Sequence, residues 1–193
     1  MLGILTVLIG LTVTLYLLQR QFIYFPTRQD QHQAELEATQ RGLEPWLHEG
    51  QFIGWQAPYP DGNATGSILV LHGNAGAAIH RTYFRDLFQR STPYARFDVY
   101  LLEYPGFGPR PGSPSEASLL HAADEAITQL QQDSQKPVLL VGESLGTVVA
   151  SIGQFPTARC RAGNAPSHAI PQFSRIGTAT LPLAAGLVPA RRI

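Results

Sequence analysis

The chain has 193 residues, a formal net charge of +0, and a composition that is 44% hydrophobic and 15% charged. That is enough for one domain with a real core, and the balanced charge excludes a basic stripe for nucleic acid and an acidic solvating tail. Cys160 is the single cysteine, so an internal disulfide is excluded.

Residues 1–18, MLGILTVLIGLTVTLYLL, carry no charge and are just long enough for a membrane helix. Arg20 and Arg28 follow, with Tyr16, Phe22, Tyr24 and Phe25 as interface aromatics. A single-pass anchor over residues 1–20 is the expected reading. A cleaved signal is opposed by the uncharged start and by the lack of a small-x-small site before Gln19. A buried core helix is opposed by Gly3, Gly10 and three β-branched threonines. The flanking arginines weakly favour a cytoplasmic domain.

Residues 21–45 are expected to be a tether, helical in its polar part, leading to a domain over 46–151. Phe52–Ala57 is a strand candidate, and 58–66 is a turn cluster with Asp61-Gly62 as its hairpin signal. The apolar run from Ser67 to His72 suits a strand buried on both faces of a parallel sheet. It ends in Gly73-Asn74-Ala75-Gly76. A helix is expected over 77–90, with Tyr83, Phe84, Leu87 and Phe88 on one face. Phe97–Leu102 is the next strand. Ser115 is an N-cap for a helix running to about Gln132. Val138–Val141 is the third buried strand, and a helix starts near Thr147. Alternating strands and helices predict an α/β fold with a parallel sheet. Sites in such sheets form at the carboxyl ends of strands. Three Gly-rich loops, 73–76, 104–112 and 142–146, fall at those ends.

Gly142-Glu143-Ser144-Leu145-Gly146 is a G-x-S-x-G match between an apolar strand and a helix. A nucleophilic serine must be exposed, rigid and close to backbone N–H donors. Flanking glycines allow the strained strand-to-helix turn, and the helix start aims N–H groups at a developing oxyanion. Ser144 is the candidate nucleophile. Asn74 and Leu145 are the candidate oxyanion donors through their N–H groups, since the loop after the first parallel strand supplies the second donor. Tyr104 and Phe107, in Glu103-Tyr104-Pro105-Gly106-Phe107-Gly108, have two readings: lining an acyl pocket, or packing under the sheet. His72 reads as structural. His72 and His80 lack metal-ligand spacing with any partner, so no metal is expected. Without Gly-Lys-Ser/Thr or G-x-G-x-x-G, a nucleotide site is not expected, and no cofactor is implied.

The residues LVLHGNAGAAIHR (69–81), LLEYPGFGPRPGSPSE (101–116) and VLLVGESLGTVVAS (138–151) together resemble the α/β-hydrolase superfamily. The segment Arg20–Pro26 is similar to its single-pass, membrane-anchored branch of the bud-emergence type, near the serine aminopeptidase-like group. The resemblance implies a serine hydrolase acting on ester, thioester or amide bonds of a small acyl or peptide-like substrate, through an acyl-enzyme on Ser144. It also implies the N-terminal half of the family's parallel sheet.

After Ser144 the family supplies an acid and then a histidine. Here no Asp or Glu follows Glu143, and the one later histidine is His168. Residues 152–193 hold five prolines and five arginines without helical or strand period. Two origins fit this irregular tail: an out-of-frame translation of a G+C-rich sequence, or a natural truncation with a disordered end. Back-translated and displaced by one nucleotide, its degenerate codons permit family-like segments in the right order. In either case the third parallel strand is expected to lack a neighbour, and the chain to be unstable. Three functional readings follow. The first is a serine hydrolase impaired by loss of the triad acid and histidine. The second is a non-catalytic remnant or binding scaffold, and the third is a membrane-tethered interaction protein without hydrolase ancestry.

Overall fold

The computed structural model describes residues 2–90, 96–134 and 136–152, and the expectations for the tail from 153 onward lie outside them. The apolar start forms one helix, α1 (Leu2–Ile23). Its stretch Gly3–Ile23 has a mean hydropathy of 1.6 and is 0% buried, so its apolar side chains are left exposed. A two-residue strand, β1 (Phe25–Pro26), follows directly.

Helix α2 (Gln31–Gln40) begins where Asp30 accepts from the His32 and Gln33 N–H groups. The tether expectation gives way here: Ala34 and Ala38 are 0% exposed and join the core. Two small side chains let the helix lie close on the sheet, so its polar surroundings hide the contact. Strands β2 (Glu44–His48) and β3 (Gln51–Ala57) form an antiparallel hairpin closed by Glu49 and Gly50, both at positive φ (48° and 77°). Such a turn matches the strand twist.

Strand β4 (Gly66–Leu71) is buried at every position. Strand β5 (Ala75–Gly76) follows, then a short 3-10 turn over Ala78–Arg81 and helix α3 (Thr82–Arg90). Next come β6 (Phe97–Leu102), α4 (Glu116–Asp133), β7 (Val138–Gly142) and α5 (Leu145–Ile152). Ser115 caps α4 by accepting from the Ser118 N–H, while Ser118 Oγ accepts from the Ser115 N–H at 2.9 Å.

The main sheet runs β2-β3-β6-β4-β7, and β1-β5 is a separate two-stranded parallel ladder. The pairs β6-β4 and β4-β7 are parallel, whereas β2-β3 and β3-β6 are antiparallel. The sheet is therefore mixed, with its expected parallel part, β6-β4-β7, on one side. Asp61-Gly62 does turn the chain, but β3 and β4 are not neighbours because β6 lies between them. One core cluster joins Leu69, Leu71 and Leu102 to α4 and Val149. The other joins Ile68, Val70, Val99 and Leu101 to α2 and Phe84. Alternate β4 side chains feed opposite layers, which is why that run is apolar throughout. Among the described residues β7 pairs on one side only, and Leu139, Val148 and Ile152 are 47%, 49% and 52% exposed.

Candidate functional site

The carboxyl ends of β4, β6 and β7 carry the candidate residues. At the end of β7 the Glu143 N–H donates to the Leu71 carbonyl at 2.9 Å, holding the turn against β4. Ser144 follows with φ +52°, a backbone state that L-residues avoid. Helix α5 begins at the next residue, and its first turn closes with Gly146 N–H on Glu143 O and Thr147 N–H on Ser144 O. The serine is exposed at the top of this turn.

The flanking glycines are needed for close approach. A Cβ on Gly142 would stand 2.5 Å from Thr147 Cα and 2.6 Å from its nitrogen. A Cβ on Gly146 would overlap the Leu71 carbonyl group and lie 2.8 Å from His72 O. Strand, turn and helix are thus in backbone contact, and Ser144 has little freedom to drift.

The loop after β4 lies beside it. A Cβ on Gly73 would be 3.4 Å from Ser144 Cβ. Among the described residues, neither the Asn74 nor the Leu145 N–H donates to a backbone acceptor. Leu145 opens α5, so its N–H has no partner within the helix and carries the helix's partial positive charge. The structure therefore brings Ser144, the Asn74 loop and Leu145 to one end of the sheet.

It places Tyr104 and Phe107 elsewhere. Both rings are 0% exposed and sit in the core, with centroids 4.4 Å and 5.1 Å from the His72 ring. Of the two readings of their loop, packing in the core is the one that their burial supports among the described residues. His72 is also buried. Its Nδ1 donates to the Gly73 carbonyl at 2.7 Å, and its Nε2 stands 3.3 Å from Glu103 Oε1. That distance allows charge pairing, although the alignment is not that of a hydrogen bond. The Glu103 carboxylate accepts from the Ala78 N–H at 2.9 and 3.1 Å, so it fastens the loop after β4 from below.

Other supports were not legible in the sequence. Arg81 donates to both Glu143 oxygens, at 3.1 and 3.3 Å, and also to the Ala75 and Ala77 carbonyls at 2.9 and 3.1 Å. One guanidinium therefore ties the serine turn to the Asn74 loop. Tyr83 donates to Glu143 Oε2 at 2.6 Å. Burial raises the Glu143 carboxyl, but the bonds from Arg81 and Tyr83 and the Arg81 charge outweigh it and hold it below the ordinary carboxylate range. The Tyr83 phenol is pushed up to about 12, by burial and by its bond to Glu143. Among the described residues no cluster of three His, Cys, Asp or Glu side chains could hold a metal. A cleft lined by Gly42, Tyr59, Arg85 and Arg90 contains none of the candidate residues.

The model of the alpha/beta hydrolase family matches residues 68–192. The chain belongs to the alpha/beta hydrolase family. The match begins in β4, includes every candidate residue, and reaches into the tail that the sequence reading sets apart. Protein YfhR of Escherichia coli O157:H7 is 32% identical over 131 residues, covering 58% of this chain and 44% of YfhR. The membrane protein YNL320W of Saccharomyces cerevisiae is 36% identical over 87 residues, covering 44% of this chain and 30% of its own. Protein bem46 of Schizosaccharomyces pombe is 31% identical over 102 residues, covering 51% and 32%. The hydrolase chain thus spans about half the length, or less, of these relatives.

Proposed function

We propose that this alpha/beta hydrolase is a serine hydrolase of the membrane-anchored, bud-emergence-type branch, with Ser144 as its nucleophile. The observation that carries the reading is Ser144 at φ +52°, exposed on a strand-to-helix turn between two glycines in backbone contact. Strain of this kind is retained where the surrounding structure over-determines it, and it presents the hydroxyl without a neighbour in front. In this reading Ser144 Oγ attacks the acyl carbonyl of an ester, thioester or amide and expels the alcohol, thiol or amine. Asn74 and Leu145 N–H groups stabilise the oxyanion, and water then releases the acid. Helix α1 is the anchor. Its length and its lack of burial support that role, and the yeast relative is called a membrane protein.

The proton acceptor for Ser144 is the weak part of the machinery. His72 is held in the core by Gly73 and Glu103, and residues 145–193 contain no Asp or Glu to orient His168. We therefore take turnover by the 193-residue chain to be impaired relative to a full triad. Losing a triad member leaves about 10³–10⁴-fold catalysis over water in well-studied cases, supplied by the oxyanion donors and binding.

A fluorophosphonate probe tests the reading. The full chain in lipid vesicles should be labelled, and Ser144→Ala should not. Folded chain that is never labelled would leave only a binding scaffold.

A further inference from the structure

The end of the apolar helix is fastened to the candidate oxyanion loop. Asn74 Nδ2 donates at 2.8 Å to the carbonyl of Ile23, the last residue of α1. The Phe25 N–H donates to Asn74 O at 2.8 Å, and the Thr27 N–H to Gly76 O at 2.9 Å, so the strap after the helix becomes a strand beside the loop. The strap continues onto the loop after β6, where Gly108 N–H donates to Thr27 O and Gln29 N–H to Gly108 O. Tyr24 packs on the core. No slack is left between the helix and the site.

The 21 residues from Gly3 to Ile23 rise about 30 Å, which is the hydrocarbon thickness of a bilayer. They expose an apolar surface up to Leu18, followed by Gln19, Arg20 and Gln21, and Phe22 and Phe25 beyond these are 64% and 54% exposed. This is the pattern of an interface belt. With the uncharged run across the bilayer, Ile23 lies about 7 Å beyond the hydrocarbon boundary, in the headgroup layer. Asn74 is one hydrogen bond away, and Ser144 lies just behind Gly73.

We propose that the candidate site opens at the bilayer surface, and that its substrates are amphiphilic acyl esters or thioesters delivered from the membrane. The substrate class rests on the serine-hydrolase reading; the placement does not.

The test separates the two. In full chain carrying Cys160→Ser, a fluorophore is attached at Ser144→Cys, or at the exposed Ala75→Cys if the first variant does not fold. A third variant carries it at Asp61→Cys, beyond the opposite end of β4. That strand alone adds roughly 20 Å between the two ends. Each protein is placed in phosphatidylcholine vesicles containing a headgroup-spin-labelled lipid. Because each headgroup layer is only about 5–7 Å thick, quenching at 144 or 75 should exceed that at 61 by at least about twofold. Equal quenching, or stronger quenching at 61, overturns the placement.

The unlabelled chain in the same vesicles is then treated with a long-alkyl or an ethyl fluorophosphonate. The long-alkyl probe should label Ser144 at least about tenfold faster, since each buried methylene adds about 0.8 kcal/mol of partitioning. Equal rates overturn the substrate class. Labelling by neither probe overturns the serine-hydrolase reading, and the quenching result alone then decides the placement.

Discussion

Gly146→Ala separates two opposed physical effects. Ala is a better helix former than Gly by about 1 kcal/mol, and residue 146 lies in α5, so propensity alone predicts a more stable chain. The structure predicts the reverse. The added methyl would fall inside the Leu71 carbonyl group and 2.8 Å from His72 O, where an ordinary contact is at least about 3.4 Å. Both are backbone groups, at the end of β4 and just after it, so neither can rotate away. Helix α5 must withdraw from β4 by an ångström or more. Overpacking of this kind costs typically 1–3 kcal/mol, and backbone partners put this case at the upper end or above it.

Urea unfolding read by tryptophan fluorescence measures the effect. The chain's two tryptophans, Trp46 and Trp55, are 3% and 0% exposed and report the two core layers. We expect a loss of about 3 kcal/mol or more, and a fall of roughly 10²-fold in fluorophosphonate labelling as the serine turn shifts by about 1 Å. Gly10→Ala, which meets nothing within 4 Å, is the control and should lose nothing. A Gly146→Ala chain as stable as the parent would refute the argument that backbone contact fixes the turn.

Glu103→Ala strands the buried Ala78 N–H and removes the charge beside His72; it should cost about 3 kcal/mol in the same assay, with Glu103→Gln costing less because its oxygen still accepts. Glu143 is held below its ordinary value of 4.5, so the stability it contributes is fully present above that pH and is lost as pH falls through its folded value. Urea unfolding from pH 7 to pH 3 should therefore show a shallower pH dependence in Arg81→Gln than in the parent, and identical slopes would remove the Arg81–Glu143 linkage. Ser115→Ala removes the side-chain half of the reciprocal cap on α4, leaving the Ser115 N–H on Ser118 Oγ, and should cost about 1 kcal/mol, whereas Ser134→Ala, at the other end of that helix, should cost less.

The parts of the hydrolase that were legible in the sequence are those whose cause is local. β4 reads as a buried strand because both its faces are covered, and that makes every residue from Ser67 to Leu71 small or apolar. Ser115 reads as a cap because a hydroxyl before a helical run has one function there. Ser144 reads as strained because only glycines on both sides permit the turn. What was missed depends on partners distant along the chain. Arg81 and Glu143 meet across 62 residues, and no pattern around either one announces the other. α2 docks through two alanines, too small an apolar face to register as amphipathic. The Asp61-Gly62 turn is a correct local signal attached to the wrong pairing, because β6 enters between β3 and β4. The same division runs through the candidate site. Its reactive geometry is backbone conformation at Ser144, Leu145 and Asn74, encoded next to where it is used. Its supports are Arg81, Glu103 and the strap from Phe25 to Gln29, encoded in three other elements. A substitution that spares the G-x-S-x-G sequence can therefore still displace the candidate oxyanion donors, and the strap is the part most exposed to that, since it also joins α1 to the Asn74 loop.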